Sequence, residues 1–417
     1  MQKDGSSLSL SLEYGWTYPK SGNVCQFGTY EFPWGGGIYK TADFDVERNN
    51  RMKTIVVSAV NLRKGGTLTI LKGCLRYLSG IVAQGSGEYR VVALVHDRKL
   101  CDYPGIEYME MPRCIRSWAH RLWAEYVTMH RISREIASED GRTVWLWLSL
   151  HDTTPRVEAE HRQVYCHTSF PFLKVRLRDW LMDPKIPLFA HFTKWAYRIN
   201  AGCNETMIVQ QNWFADALSK LVRLPRSRFT VLPPDKGFYL PILGVPPVEA
   251  GRKAMGPAIP DSASAKTRDA GKSYTFFYAS TPDCHKNFEA VCEAARMLEK
   301  EGVDFRLVIT VKGDENRYGR WLRKRWGDVS SIDFHGFMSK EELYANYMAA
   351  DCFVFPSRIE TWGLPVSEYA SVNPSGGLIL ADLPYAHETA GERKASYFDP
   401  DNVEFLKKLM NENIAAR

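Results

Sequence analysis

No run of apolar residues in this chain is long enough to cross a membrane, although 45% of its 417 residues are hydrophobic. The first residues, MQKDGSSLSL, lack the basic start and the continuous apolar segment of a signal peptide. The sequence therefore predicts neither a transmembrane helix nor a secretory leader. We expect a cytoplasmic protein, with peripheral binding to the cytoplasmic face of the membrane as a further option.

Cysteine pairs are also missing from the sequence. The nine cysteines are scattered and odd in number, and none of them forms a C-x-x-C pair. This pattern disfavours a disulfide framework and a zinc site. It predicts reduced, mostly buried thiols, and we expect the protein to hold no metal and no cofactor.

Negative charge is scarce in the first half of the chain. Residues 52–235 contain 26 Lys and Arg against 17 Asp and Glu, a balance of +9, whereas residues 272–417 contain 18 against 22, a balance of −4. The basic half predicts contact with an anionic surface, either phospholipid headgroups or a phosphate-bearing acceptor. Its segment 172–200 mixes basic and aromatic residues, as a membrane-surface site would, although a helix packed on the core gives the same stripe. An ordinary solvated surface stays open, and nucleic acid is not predicted, because no zinc-finger, RNA-recognition or basic-helix motif accompanies the charge.

Apolar runs alternate with segments of helical period along most of the chain, in two sets separated by a break. Strands are predicted at 54–60, 90–96, 144–150, 163–168, 206–211 and 229–232, and then at 274–280, 304–311, 331–335, 352–356 and 377–381. Because strands that alternate with helices form parallel sheets, the two sets predict an α/β fold of two Rossmann-like domains. The predicted domains are 52–235 and 274–417, joined by a linker or insertion at 236–273 that is rich in Pro, Gly, Ala and Ser. Residues 1–51 show no clear period, and we predict that they are an appendage outside the fold.

The most informative stretch is PSRIETWGLPVSEYA at residues 356–370, which follows an apolar strand. It places Glu360 on a loop and Glu368 about one turn into a helix, whose start is marked by Gly363 and Pro365. The first N–H groups of a helix have no internal partners and bind anions above the strand. Carboxylates on both sides of that helix start can accept hydrogen bonds from two polyhydroxyl groups, a hexose and a ribose. The stretch therefore predicts a sugar-nucleotide site, with the diphosphate on the backbone amides.

This stretch resembles the E-x7-E signature of the retaining glycosyltransferases of family 4, in particular bacterial surface-polysaccharide hexosyl- and mannosyltransferases. The resemblance continues downstream in GLILADLPYAHETAGERKASYFDP (377–400) and upstream in FFYASTPDCHKNFEAVCEAARML (276–298). With a weaker likeness at 54–71 it covers most of residues 52–400, although the N-terminal half matches only loosely. It implies the GT-B fold, in which two Rossmann-like domains face each other across a cleft. Because the family usually adds further helices after this point, a truncated second domain is expected.

The resemblance also implies roles for individual residues. Glu360 would contact the transferred sugar and Glu368 the ribose hydroxyls. Trp362, Gly363 and Leu364 would offer backbone amides to the sugar and the diphosphate. The donor would lie mainly on the second domain, and the acceptor would enter from the first.

Lys286 lies in a loop before a predicted helix, where a cation is electrostatically unfavourable unless an anion joins it. We therefore predict that it binds the donor diphosphate, with a surface lysine as the alternative. The family commonly adds an Arg a few residues earlier, but this chain has Ser280 and Thr281 there. Lys312 and Arg358 are the candidates for the missing cation.

The candidates in the first domain are Gly65, Gly66 and His167. The glycine pair follows the first strand and resembles the family's loop beneath the donor phosphate, although a turn into a helix would also use glycine. His167 ends a strand at the carboxyl edge, where ligands gather in open parallel sheets, and many family members carry a His near the donor sugar here. A core histidine is the alternative. His151 and Asp152 are weaker candidates, because Asp before Thr-Thr-Pro can simply order a turn.

Together these features predict a metal-independent retaining glycosyltransferase that moves a hexose from a nucleoside-diphosphate sugar to a glycan or lipid-linked glycan in surface-polysaccharide biosynthesis. Its predicted catalytic residues are Glu360, His167 and Lys286. A glycoside hydrolase is disfavoured, because its two carboxylates flank the scissile bond, and a sugar-nucleotide epimerase should lack the paired-glutamate turn. A catalytically degenerate, nucleotide-sugar-binding subunit of a polysaccharide-assembly complex stays open, because of the missing Arg and the short C-terminus.

Overall fold

The computed structural model describes residues 52–84, 87–234, 237–245 and 273–416, together with the backbone of two short strands before residue 52. The strands of its first sheet are β1 (Tyr30–Glu31), β2 (Gly37–Tyr39), β3 (Lys53–Ala59), β4 (Tyr89–Val95), β5 (Ile106–Glu110), β6 (Val144–Ser149), β7 (Ala159–Tyr165), β8 (Thr206–Val209) and β9 (Phe229–Val231). Their order across the sheet is β1-β2-β5-β4-β3-β6-β7-β8-β9. Strands β3 to β9 are parallel, and β2 joins the edge strand β5 in antiparallel pairing.

The second sheet is entirely parallel. Its strands are β10 (Tyr274–Tyr278), β11 (Phe305–Ile309), β12 (Ile332–Phe334), β13 (Cys352–Phe355), β14 (Gly377–Ala381) and β15 (Ser396–Phe398), in the order β12-β11-β10-β13-β14-β15. Counted from the first parallel strand of each domain, both sheets run 3-2-1-4-5-6, and the first sheet adds a seventh strand. The predicted fold of two Rossmann-like domains is confirmed.

Helices connect the strands and build hydrophobic clusters on the sheets. In the first domain they are α1 (Gly65–Ala83), α2 (Trp118–Trp123), α3 (Met129–Asp140), α4 (Leu177–Met182), α5 (Lys185–Ala196) and α6 (Asn212–Val222). In the second they are α7 (Phe288–Lys300), α8 (Arg317–Trp326), α9 (Lys340–Ala349), α10 (Leu364–Val372), α11 (Pro384–Ala390) and α12 (Val403–Ala415). A π-helical turn, Ala124–Thr128, joins α2 to α3. Within the described ranges, every helix is too short or too polar to span a bilayer.

Strand β13 shows why the second domain folds as it does. All four of its residues are buried, which is typical of a parallel strand with helices on both faces. Phe353 on this strand stacks on Tyr369 of α10, with ring centroids 5.1 Å apart, and meets Tyr347 of α9 edge-on at 5.6 Å. Such aromatic pairs stabilise by about 0.5–1.5 kcal/mol beyond the area they bury. They fix α10, the helix that carries Glu368, against the end of β13.

The predicted strands are all present, with shifted ends, but β5, β15 and the two short strands β1 and β2 are additional. Strand β5 has the sequence IEYME, whose two glutamates interrupt the apolar pattern and concealed it. Its Glu107 lies half-buried against Arg90 of β4. Strand β15 is only three residues long. The predicted helix at 116–138 is divided by the π-helical turn.

The prediction for residues 1–51 needs one correction. Gly37–Tyr39 pairs with β5, and Tyr30–Glu31 pairs with Gly37–Tyr39, so these two short strands extend the first sheet instead of lying outside the fold. The rest of residues 1–51, like most of 236–273, lies outside the described residues. The predicted domain boundaries therefore stay predictions.

Candidate active site

Lys286 and Glu360, which are 74 positions apart, meet between the two domains. Lys286 Nζ donates a hydrogen bond of 2.5 Å to Glu360 Oε1, and each side chain is 15% exposed. The topology explains the meeting, because Lys286 follows β10 and Glu360 follows β13, and these neighbouring strands lie where the strand order reverses. In open parallel sheets, ligands bind outside the carboxyl ends of the strands at this point.

Two buried tyrosines hold the loops that carry this pair. The Tyr278 hydroxyl donates to the Lys286 carbonyl oxygen at 2.6 Å, and the Tyr385 hydroxyl donates to the Ser357 carbonyl oxygen at 2.7 Å. Burial raises the pKa of both tyrosines, and the nearby charge of Glu360 raises it further, so both hydroxyls stay protonated donors. The loops are therefore fixed by the core beneath them.

The N-termini of α10 and α1 face each other across the cleft. Gly363 precedes α10 with φ +89°, a left-handed conformation that favours glycine, and Pro365 occupies the first turn. From the first domain, α1 begins at Gly65, and a β-carbon added at Gly66 would lie 3.1 Å from Leu364 Cδ1. The structure thus brings the predicted glycine loop against the predicted helix start. Both ends present N–H groups and a positive dipole, which favour an anion.

Glu368 lies half-buried on α10 in a different environment from Glu360. Its Oε2 accepts a hydrogen bond of 3.2 Å from the Tyr347 hydroxyl. Burial raises the pKa of the Glu368 carboxyl, and the hydrogen bond from Tyr347 and the charge of Lys340 only partly oppose that effect. One predicted glutamate is therefore paired with a cation and the other with a neutral donor.

His167 lies beside the Glu360 loop, because its carbonyl oxygen accepts a hydrogen bond of 3.2 Å from Thr361 Oγ1. Its Nε2 is 2.6 Å from the Leu150 carbonyl oxygen, which can only accept, so Nε2 carries the proton. Its Nδ1 is buried and has no hydrogen-bond partner among the described residues. Asp152 shapes this loop by accepting from the backbone N–H groups of His167 and Thr168 at 2.6 and 2.9 Å.

The weaker candidates His151 and Asp152 have structural roles. His151 is fully buried, with Nε2 3.0 Å from Ser58 Oγ and Nδ1 3.0 Å from Thr153 Oγ1. Burial lowers the pKa of His151 to about 4, so the ring stays neutral. Asp152 adopts φ 71°, and its carboxylate holds the loop at residues 167–168 through the two backbone hydrogen bonds described above.

Neither candidate for the second cation contacts the pair of Lys286 and Glu360. Arg358 Nη2 donates to Asp179 Oδ1 at 2.5 Å and to the Cys284 carbonyl oxygen at 3.1 Å. Lys312 is exposed, with Nζ 3.1 Å from Asp314. Diphosphate binding by either residue stays a prediction.

Sequence reasoning missed a set of contacts that join the two domains around α4. Asp179 lies on α4 of the first domain, so its pairing with Arg358 crosses the cleft. The preceding arginines do the same, because Arg176 pairs with Asp401 and Arg178 pairs with Glu289. Part of the basic segment 172–200 therefore binds the second domain. The only sequence signal for these contacts is the spacing of Arg176 and Arg178 two positions apart, and their acidic partners lie more than a hundred positions away.

A second interdomain contact lies at the start of α6. The Glu388 carboxylate of α11 accepts from the backbone N–H groups of Asn212 and Trp213, at 2.7 Å each. Gln211 donates to the Tyr385 carbonyl oxygen at 3.0 Å beside it. A helix N-terminus of the first domain is thus capped by an acidic residue of the second.

Comparison with known proteins bears on the family and the fold. Residues 261–415 match the family described as glycosyl transferases group 1. The protein is a glycosyltransferase. Comparison of this glycosyltransferase with curated proteins gives no match.

Solved structures resemble the glycosyltransferase over both domains. Sucrose-phosphate synthase from Thermosynechococcus elongatus is similar with a TM-score of 0.57 and 14% identity, over 87% of this chain and 90% of that one. WaaG, a glycosyltransferase involved in lipopolysaccharide biosynthesis, gives 0.56 and 15%, over 87% and 90%. Anabaena HepE in complex with UDP-glucose gives 0.53 and 11%, over 87% and 89%. The likeness shows that the two domains together have the GT-B fold.

Proposed function

We propose that this glycosyltransferase is a retaining, metal-independent hexosyltransferase that binds a nucleoside-diphosphate sugar in the interdomain cleft. The observation that carries the proposal is the convergence of Lys286, Glu360 and two helix N-termini from opposite domains. A cation and free amides suit a diphosphate, and a carboxylate beside them suits sugar hydroxyls. Because the similar Anabaena structure holds UDP-glucose, a nucleotide sugar is the donor class best supported.

Each group at the site has a part in the proposed reaction. Lys286 and the amides at the start of α10 and α1 stabilise the charge that develops as the bond between the sugar and the diphosphate breaks. The acceptor oxygen bonds to the same face of the sugar, and the departing phosphate oxygen takes the acceptor proton, so no protein base is needed. Glu360 holds the sugar, Glu368 holds the ribose, and His167 lies beside Thr361 at the sugar end.

The acceptor proposed is a glycan or lipid-linked glycan of a surface polysaccharide, which enters from the first domain. Two observations support it. Residues 52–235 carry a balance of +9, which suits a phosphate-bearing acceptor or a phospholipid surface. WaaG, a structure of similar fold, is involved in lipopolysaccharide biosynthesis. A cytoplasmic location with peripheral membrane contact belongs to the same proposal.

A thermal-shift panel of UDP- and GDP-sugars, followed by product detection, tests the donor site. A ligand that binds only the native state stabilises it by about 2.7 kcal/mol at a hundredfold excess over its Kd, which is enough to rank donors. We expect Glu360→Gln and Lys286→Met each to lower kcat about a hundredfold. The matched controls are Glu392→Gln and Lys300→Met, since both residues are exposed and Lys300 ends the helix that follows Lys286.

Separate results would contradict separate parts of the proposal. Inverted anomeric configuration in the product, measured by NMR, would refute retention, and a rate that EDTA abolishes and Mg²⁺ restores would refute metal independence. Donor binding without transfer to any of a broad set of acceptors would favour the degenerate subunit. Release of free sugar from a simple glycoside without nucleotide would favour a hydrolase.

A further inference from the structure

One face of the first domain gathers exposed apolar side chains. Eight of the ten exposed large hydrophobic side chains among the described residues lie on α2, the π-helical turn, α4 and α5. We call these eight side chains the tryptophan face. They are Trp118, Trp123, Val127, Leu177, Trp180, Leu181, Leu188 and Trp195. Contiguous apolar surface of this kind marks an interaction site on a water-soluble domain.

The tryptophan face is continuous with the candidate active site. Trp118 lies with its ring centroid 4.6 Å from that of Phe192 and 5.6 Å from that of Phe189, so α2 and α5 form one surface. Phe189 contacts Phe170 at 5.4 Å, and Phe170 contacts His285 of the second domain at 4.9 Å. His285 is the neighbour of Lys286 in the chain. A molecule held on this face can therefore extend to the cleft.

A cavity of about 230 Å³ opens on the same face. Its walls are largely apolar and come from the end of β5, from α2, from the π-helical turn and from α3; they include Met109, Met111, Cys114, Trp123, Ala124 and Ile132. Because Trp123 both lines the cavity and is 51% exposed, the cavity communicates with the tryptophan face. Because apolar surface dominates its walls, the cavity favours apolar groups, although Glu110, Arg113, His120 and Arg131 also line it. A stretch of hydrocarbon chain has this chemistry.

Cations alternate with the apolar side chains of the face. Arg116, Lys174, Lys185, Lys194 and Arg198, which lie in the same helices or in the segments flanking them, are exposed. Glu125 and Asp179, two acidic residues of the same segments, are buried and paired with Arg121 and Arg358. They therefore add no negative charge to the exposed surface. Tryptophan, leucine and basic residues on one helical surface are the composition of a membrane-interface binding site.

We propose that the tryptophan face binds an anionic lipid bilayer and that the cavity takes part of one hydrocarbon chain of a lipid in it. The basic side chains contact the phosphate headgroups, and the tryptophans lie at the level of the interface. One part of this inference rests on the proposed function. If the protein transfers a sugar as proposed, its acceptor is an amphiphile with a hydrocarbon chain and a phosphate.

Flotation of the full chain with vesicles tests the face. We expect binding to vesicles of phosphatidylcholine mixed with phosphatidylglycerol, little binding to phosphatidylcholine alone, and weaker binding at high salt. The double variant Leu188→Glu/Trp195→Glu should lower the partition coefficient about tenfold or more, whereas Phe337→Glu, a change at a 93% exposed residue of the second domain, should not alter it. Lys194→Gln should cost about fivefold, against no change for Lys324→Gln on α8.

Single-chain ligands test the cavity. Lysophosphatidylglycerol should raise the melting temperature, and glycerophosphoglycerol, the same headgroup without a chain, should not. Ala119→Phe, at the exposed edge of the cavity, should abolish this shift, and Ala119→Ser should keep it.

Three results would overturn the inference: no vesicle binding, equal loss in the double variant and in Phe337→Glu, or equal shifts from both ligands. A dimer in ultracentrifugation that Leu188→Glu/Trp195→Glu dissociates, without vesicle binding, would assign the face to a second copy. Nucleotide-sugar binding is measured without lipid, so its failure alone would overturn the proposed function and leave the lipid site standing.

Discussion

The ion pair between Arg358 and Asp179 allows a prediction about how the domains are held together. The two side chains are 5% and 0% exposed and belong to different domains. Arg358 Nε and Nη1 are already buried without hydrogen-bond partners among the described residues, so Asp179 carries most of the compensation for this charge. We expect Arg358→Met to be strongly destabilising, because it leaves the Asp179 carboxylate buried without a counter-charge.

The magnitude follows from the burial of the pair. Removing one partner of a buried ion pair costs about 3–5 kcal/mol, whereas exposed pairs are worth about 0–1 kcal/mol. Asp179 also accepts from the Arg176 backbone N–H at 2.8 Å, so Asp179→Asn is the matching change that keeps this acceptor. The double variant should cost much less than the sum of the single variants, since no unpaired charge is left.

Urea unfolding measures the loss of stability, and small-angle scattering measures any separation of the domains. Because the partners lie on separate domains, part of the loss should appear as domain separation, which increases the radius of gyration, and part as a lower unfolding midpoint. The control is Arg306→Met, which breaks a 2.5 Å pair with Asp333 whose side chains are 58% and 31% exposed. If Arg358→Met changes both quantities no more than Arg306→Met, the reasoning is refuted; donor affinity lost in that case would restore Arg358 as the second diphosphate cation.

Further predictions concern the glutamates and the glycine loop. Burial raises the pKa of Glu368 in the native state above its value in the unfolded chain. As the pH rises between these two pKa values, the unfolded chain loses its proton first, so the stability of the wild type falls. Glu368→Gln should therefore stabilise the protein at neutral pH but not in acid. Urea unfolding at stepped pH, with Glu392→Gln as control, checks this. Glu388→Ala should cost about 1 kcal/mol and speed hydrogen exchange at Asn212 and Trp213, because it removes their cap; unchanged exchange would refute the capping role. Gly66→Val should weaken donor binding in calorimetry by crowding Leu364, and added Leu364→Ala should restore it; no rescue would contradict the contact.

The sequence predicted the architecture because local patterns determine it. Strands such as β13 are continuous apolar runs that only a sheet covered on both faces can bury, and their alternation with helices leaves few topologies. The same topology places Lys286 beside Glu360, since the loops after adjacent strands meet at one edge. For this reason Lys286 and Glu360, which the sequence analysis proposed on separate grounds, are in contact.

The interdomain contacts could not be predicted in this way. Which acidic residue lies opposite Arg176, Arg178 or Arg358 depends on how one domain is oriented on the other, and no local period encodes that orientation. The basic and aromatic segment 172–200 illustrates the difficulty, because α4 directs arginines to the second domain while α5 exposes Leu188 and Trp195. The packed-helix interpretation describes part of the segment, and the membrane-surface interpretation stays a prediction.

The pair of Lys286 and Glu360 gives the proposed donor site a physical basis for affinity. Both side chains are largely buried, and each satisfies the charge of the other at 2.5 Å. A diphosphate that binds Lys286 competes with Glu360, and the released carboxylate can accept from the hydroxyls of the sugar attached to that diphosphate. The contact between Lys286 and Glu360 is thereby replaced by two, one between Lys286 and the diphosphate and one between Glu360 and the sugar. A nucleotide without its sugar would leave the Glu360 carboxylate buried without a partner. Intact nucleotide sugar should therefore bind more tightly than the free nucleoside diphosphate, and Glu360→Gln should reduce that difference.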